Sequence, residues 1–180
     1  EWLKGSMHKN IKIINNGVNS KEDVKGPLND IKYILKIIKE EEMFVIASDN
    51  FFTFNLKEMI DLSREKSSSV IALKNLRDKN LIKKKYGCVL LDKTGRVVHF
   101  EEKTAKPLSS LCATACYFIK KEDIIKLKKY NFKDTSNLGD IVVFLYNNSK
   151  IYGKIFEDFW IDIGSKEDLE KARITNFKSP

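Results

Sequence analysis

The sequence predicts an α/β fold with a mixed, mostly parallel central sheet flanked by helices. Two observations carry that reading. Short apolar runs suited to buried strands alternate with segments of helical apolar spacing, the order that builds parallel sheets. One hairpin pattern interrupts the alternation and makes the sheet mixed. No repeat, low-complexity tract or linker divides the 180 residues, and 42% hydrophobic content suffices for one core. Residues 1–180 are therefore read as a single domain.

The elements follow in order. "EWLK" at the start reads as the last turn of a helix, and "NIKIINNG" as a short strand ending in a turn. In "GPLNDIKYILKIIKE", Leu28, Ile31, Ile34, Leu35 and Ile38 share one helical face, with Pro27 in the first turn. "MFVIASDN" is a continuous apolar strand of the kind buried on both faces of a parallel sheet. "NLKEMIDLSREK" is an amphipathic helix with Asn55 as N-cap, and "SSVIALKNL" another strand. "YGCVLLDKTGRVVHFEEK" is a hairpin with Gly95 at the turn position that favours positive φ. "SLCATACYFI" is a strand, "KKEDIIKLKKY" and "NLGDIVVFLYNNS" are helices, and "KIYGKIFE" is a strand. Last, "FWIDIG" runs into the helix "SKEDLEKAR", where Ser165 and Asp168 form a capping box.

Composition excludes several functions. No run approaches the roughly 18 apolar residues of a membrane span, and no secretory leader is visible. The formal charge of +8 comes almost wholly from lysines interleaved with acids, with only Arg64, Arg77, Arg96 and Arg173 as guanidinium groups. That pattern fits a solvated surface better than a nucleic-acid reader, which relies on Arg. Cys112 and Cys116 stand about 13 Å apart along a strand, too far for a disulfide. With Cys88 they read as buried reduced thiols of a cytoplasmic protein.

Two carboxylates stand out. Asp49 ends an apolar strand, and Asp162 lies between two isoleucines behind Phe159 and Trp160. A carboxylate buried without a partner costs several kcal/mol. Two acids converging at strand ends call for a cation, and Mg2+ is commonly held by one or two carboxylates plus substrate phosphates. Capping of backbone N–H groups at a turn is the alternative for either Asp alone. "EEK", Glu101 to Lys103, ends a strand; a Glu there can accept sugar hydroxyls and a Lys can neutralise a phosphate. A solvated charge run is the plainer alternative. Gly87 after Tyr86 either lets a backbone approach a ligand or simply opens the strand.

Taken together, "NNGVNSKEDVKGPLNDI", "VIASDNFFTFNL", "KKYGCVLLDKTGRVVHFEEK", "SSLCATACYFI" and "FWIDIGSKEDLEKA" resemble, in order, the sugar-1-phosphate nucleotidyltransferase family, and most nearly its glucose-1-phosphate thymidylyltransferase-like branch. The resemblance implies the nucleotide-diphospho-sugar transferase-like fold. It implies that Asp49 and Asp162 bind Mg2+, and that Tyr86 and Gly87 line a sugar site. It implies that Glu102 binds sugar hydroxyls and Lys103 meets the sugar phosphate as a catalytic group. Thr114 and Tyr117 would wall the sugar pocket, and Gly26 would lie beside the nucleobase. The implied partners are a nucleoside triphosphate and a sugar-1-phosphate; self-association stays open.

Four departures accompany the resemblance. Ser48 replaces a glycine, Thr104 replaces a proline so that its loop is expected to be less rigid, and Pro27 adjoins the nucleobase glycine. The Gly-x-Gly-x-Arg loop that opens such enzymes is absent, about two βα units or on the order of 60 residues. The chain thus reads as the C-terminal portion of a nucleotidyltransferase domain, lacking the first βα units and turning over poorly alone. A non-catalytic nucleotide-sugar or sugar-phosphate binding module on the same fold is the alternative, ahead of a nucleic-acid binder or a metal-dependent glycosyltransferase.

Overall fold

The computed structural model describes residues 11–20, 26–131 and 137–175. The first four residues, Asn10 and the Lys21–Lys25 part of the first quoted motif lie outside them. Residues 11–19 form no strand, contrary to expectation. The Asn15 and Asn16 side chains instead accept from the backbone N–H groups of Gly17 and Val18 at 2.8 and 3.0 Å. Such local bonds compete with strand pairing.

Helix α1 (Pro27–Ile37) begins at Pro27 and buries Leu28 and Leu35. Strand β1 (Met43–Ile46) and the three-residue β2 (Asn50–Phe52) follow, then α2 (Lys57–Lys66). The Asn55 side chain accepts from the Lys57 amide at 3.0 Å, satisfying a first-turn donor as expected. Next come β3 (Ser69–Asn75), the hairpin of β4 (Cys88–Leu91) and β5 (Val97–Glu101), and the long β6 (Leu111–Ile119). Gly95 turns the hairpin with φ +83°. Helices α3 (Lys121–Lys129) and α4 (Gly139–Asn148) lead to β7 (Ile151–Phe156), β8 (Trp160–Asp162) and α5 (Lys166–Ile174). The α5 cap is as read: Ser165 Oγ accepts from the Asp168 amide at 3.1 Å.

The main sheet has the order β5-β4-β6-β3-β7, with β1 also on β6. It is mixed as expected, but not mostly parallel. Among the described strands only β3 and β7 pair in parallel; β6 runs against β1, β3 and β4. The hairpin reverses the chain before β6, so β6 enters between its neighbours in the opposite sense. Strand β1 is accordingly an antiparallel, half-buried strand. The strands buried on both faces are instead β3 and β6. In β3, Ile71 and Leu73 join α1, α3 and α4 in one core, while Val70 and Ala72 meet Met59 of α2 on the other face.

The site is positioned by two irregularities. Strands β1 and β4 share one edge of β6: β1 ends with Ile46 opposite Cys116, and β4 starts with Cys88 opposite Cys112. Between those pairings β6 bulges, because the partner of Ile71 is Tyr117 whereas that of Leu73 is Ala113. Ala115 there adopts φ +53°, a left-handed conformation that costs a non-glycine residue about 1–2 kcal/mol. The gap between β1 and β4, floored by this bulge, is a cleft.

Candidate active site

The cleft has a volume of about 560 Å³ and takes side chains from Pro27 through to Asp162. Asp49, Tyr86, Gly87, Glu102, Lys103, Thr114, Tyr117 and Asp162 all line it. Gly26 does not; it caps α1 with φ +88°, and the adjoining Pro27 reaches the rim.

The two acids meet through a small ladder. Strand β8 pairs with β2 so that Asp162 stands opposite Asn50, and the Ile163 amide donates to the Asp49 carbonyl at 2.8 Å. Asn50 holds this corner. Its Nδ2 donates to Asp49 Oδ1 at 2.9 Å, and its Oδ1 accepts from Trp160 Nε1 at 2.7 Å. Burial, and next the nearby Asp49 charge, push the Asp162 carboxyl above its ordinary value, against the pull of Lys85 and Lys103. A like-charge pair facing a cleft is the donor set a hard divalent cation prefers. Among the described residues no third acid, His or Cys completes a metal cluster. The pair therefore fits Mg2+ that draws its remaining ligands from substrate oxygens and water.

Glu102 and Lys103 face the other end. The Glu102 carboxylate lies against Gly139 at the start of α4, where an added Cβ would overlap it. Gly87 is required on its opposite flank, since a Cβ there would come within 2.6 Å of the Phe100 ring and 2.9 Å of Glu102 Oε2. Burial first, with Asp140 adding to it and Lys103 opposing, raises the Glu102 pKa. Lys103 adopts φ +48°, and its Nζ reaches Asn137 Oδ1 at 3.5 Å. Tyr86 meets Trp160 edge to face at 5.3 Å between centroids.

Thr114 and Tyr117 are walls of the cleft, 1% and 2% exposed. The Thr114 hydroxyl is committed to the Ala72 carbonyl at 3.1 Å, and burial drives the Tyr117 phenol far above its ordinary pKa. At Thr104, where the proline is missing, hydrogen bonds tie the loop after Lys103. Thr104 is buried, its carbonyl accepts from the Lys84 amide at 2.9 Å, and its hydroxyl accepts from the Lys106 amide at 3.1 Å.

Sequence reasoning missed Lys85, Asn137, Gly139 and Trp160 as cleft residues, and the bridging part of Asn50. The one signal available was adjacency: Lys85 precedes Tyr86, Asn50 follows Asp49, and Trp160 stands two before Asp162. Gly139 opening a helix in "NLGD" carried no such neighbour.

Comparison with known proteins identifies the family. A D-glycero-alpha-D-manno-heptose 1-phosphate guanylyltransferase from Campylobacter jejuni is 31% identical over 149 residues, covering 81% of this chain and 61% of its own. A glucose-1-phosphate adenylyltransferase from Thermotoga sp. (strain RQ2) is 23% identical over 161 residues, covering 83% of this chain and 37% of its own. The chain thus spans 61% and 37% of the length of these two relatives, less than two thirds of either. A UDP-glucose pyrophosphorylase solved with UDP-glucose shares the fold, with a TM-score of 0.70 at 20% identity over 83% of this chain and 61% of that one. The family model described as nucleotidyl transferase matches residues 6–177, and with the acid pair, the glutamate and the lysine gathered in one cleft, this chain belongs to that family.

Proposed function

We propose that the chain forms the sugar- and metal-binding part of a sugar-1-phosphate nucleotidyltransferase. In this reaction an oxygen of the sugar phosphate bonds to the α-phosphorus of a nucleoside triphosphate. The bond to the β-phosphate oxygen breaks, and pyrophosphate leaves with its electron pair. The observation that supports the reading most is the convergence of Asp49, Asp162, Glu102 and Lys103 on one cleft from three separate stretches of sequence.

Asp49 and Asp162 would hold Mg2+, which when bound supplies neutralisation of phosphate oxygens. The chain's own groups do the rest. Lys103, steadied by Asn137, offers its ammonium to the sugar phosphate. Glu102, fixed between Gly87 and Gly139, accepts hydrogen bonds from sugar hydroxyls. Tyr117, Thr114 and Tyr86 shape the walls and exclude water, and Pro27, next to Gly26, borders the nucleobase. Catalysis of this kind is positioning and charge complementarity. Among the described residues no helix is long and apolar enough to cross a membrane. The proposal places the chain in the cytoplasm with small-molecule partners and no nucleic acid.

Pyrophosphate release tests it. The protein, with whatever its gene encodes ahead of Glu1, is assayed with each nucleoside triphosphate, glucose-1-phosphate or a heptose-1-phosphate, and Mg2+. Release that needs both substrates and Mg2+ is expected. No release, with nucleotide-sugar binding unchanged by Asp49→Asn and Asp162→Asn, favours the non-catalytic binding module instead.

A further inference from the structure

A short clip of backbone carries both Tyr86 and a cation that the motifs pass over. Residues 84–86 and 103–104 are tied by hydrogen bonds from Lys84 N–H to Thr104 O at 2.9 Å and from Lys103 N–H to Tyr86 O at 3.2 Å. The preceding turn is closed by the Lys85 and Tyr86 amides, which both donate to Ile82 O, at 2.9 and 3.1 Å. Lys84 and Lys103 stand at φ +58° and +48°, conformations that persist only where surroundings enforce them. A backbone braced in this way fixes where each lysine side chain departs.

Lys103 departs toward Asn137. Lys85 departs over the aromatic shelf, its Nζ 4.8 Å from the Tyr86 ring centroid, and Tyr86 in turn rests edgewise on Trp160. Trp160 is the residue hydrogen-bonded to the Asn50 corner that holds Asp49. Lys85 lines the cleft, feels the fields of Asp162 and Asp168, and makes no ion pair among the described residues. Hydrogen bonding to the Tyr86 phenol, outweighing burial, holds its ammonium above the ordinary Lys range. A restrained ammonium without a carboxylate partner, set beside an acid pair suited to Mg2+, is matched to a phosphate oxygen.

We infer that Lys85 is a phosphate-binding residue of this cleft, gripping the diphosphate of a nucleotide-sugar beside the Asp49–Asp162 pair while Lys103 meets the sugar-linked phosphate. The inference rests on the nucleotidyltransferase reading and adds to it a second cation with a distinct target. The test is calorimetric titration with Mg2+ and ADP-, dTDP-, UDP- and GDP-linked hexoses, followed by the tightest binder at several salt concentrations. Lys85→Met weakens that binder about tenfold or more and flattens its salt dependence. Lys85→Arg restores most of the affinity. Binding of glucose-1-phosphate, which lacks the second phosphate, and the melting temperature both stay as in wild type. A wild type that binds and a Lys85→Met variant that binds equally well overturn the inference alone. Equal losses for nucleotide-sugar and glucose-1-phosphate, or a lowered melting temperature, overturn it in favour of a structural role. A wild type that binds no nucleotide-sugar overturns it together with the reading beneath it.

Discussion

The amide of Ile163 donates to the carbonyl of Asp49 at 2.8 Å. That single bond extends the β2–β8 ladder by one rung and brings two acids from opposite ends of the sequence to one mouth. The carboxylate at position 162, enclosed by isoleucines in sequence, faces a cleft in space.

Removing one charge of the pair should stabilise the metal-free protein. Asp162 has a raised pKa in the fold, so its ionisation costs stability as pH rises through that raised value, and costs nothing below the ordinary value of 3.8. Asp162→Asn removes the cost. Because the side chain is partly exposed, the gain is discounted to about 0.5 kcal/mol, or roughly 1–2 °C at neutral pH. Thermal melts in chelator at pH 7 and pH 3 check this, with the gain present only at pH 7. Mg2+ should raise the wild-type midpoint and leave that of the variant unchanged.

Gly139→Ala tests the seat of Glu102. Ala ordinarily gains up to about 1 kcal/mol over Gly inside a helix. Here its Cβ overlaps the Glu102 carboxylate and must turn that side chain away. The expected outcome is glucose-1-phosphate affinity lowered about tenfold with little change in stability, read by titration and melting. Unchanged affinity would show that Glu102 does not depend on this contact.

A buried polar knot sets the far end of the sheet. Asp123, 5% exposed, accepts from Ser69 Oγ at 2.6 Å, from Lys126 Nζ at 3.0 Å and from the Ser149 hydroxyl. It thereby joins α3 to the start of β3 and to the C-terminal end of α4. Asp123→Ala strands these donors and should cost about 3 kcal/mol in denaturant unfolding. A cost under about 1 kcal/mol would mean that water replaces the knot freely.

Thiol chemistry should be slow. Cys88, Cys112 and Cys116 are free and buried, and burial pushes the Cys112 and Cys116 thiols up to about 12. Thiolate is the reactive form. A disulfide reagent at neutral pH should therefore label all three cysteines in denaturant, and label Cys112 and Cys116 in the native protein only at the rate of unfolding.

Local chemistry made much of this structure legible from sequence. Gly95 and the Ser165–Asp168 cap depend on neighbours within a few residues, so their residue types announced them. The acid pair was legible because charge amid isoleucines needs a physical reason. What failed was long-range. The direction of β1 is decided by β6, which lies about seventy residues away in sequence and contributes nothing local to "MFVI". Strand β2 has only three residues, too few to show a period, and exists because β8 comes to meet it. Gly139 matters only because Glu102 folds against it. "NIKIINNG" has strand-like residues, but its asparagines close turns of their own.

The most direct measurement is Mn2+ binding followed by electron paramagnetic resonance, with and without a nucleotide-sugar, on wild type, Asp49→Asn and Asp162→Asn. One bound ion per chain, tightened by the nucleotide-sugar in wild type and lost in each variant, is the predicted result. An ion bound equally well by all three proteins would contradict the account.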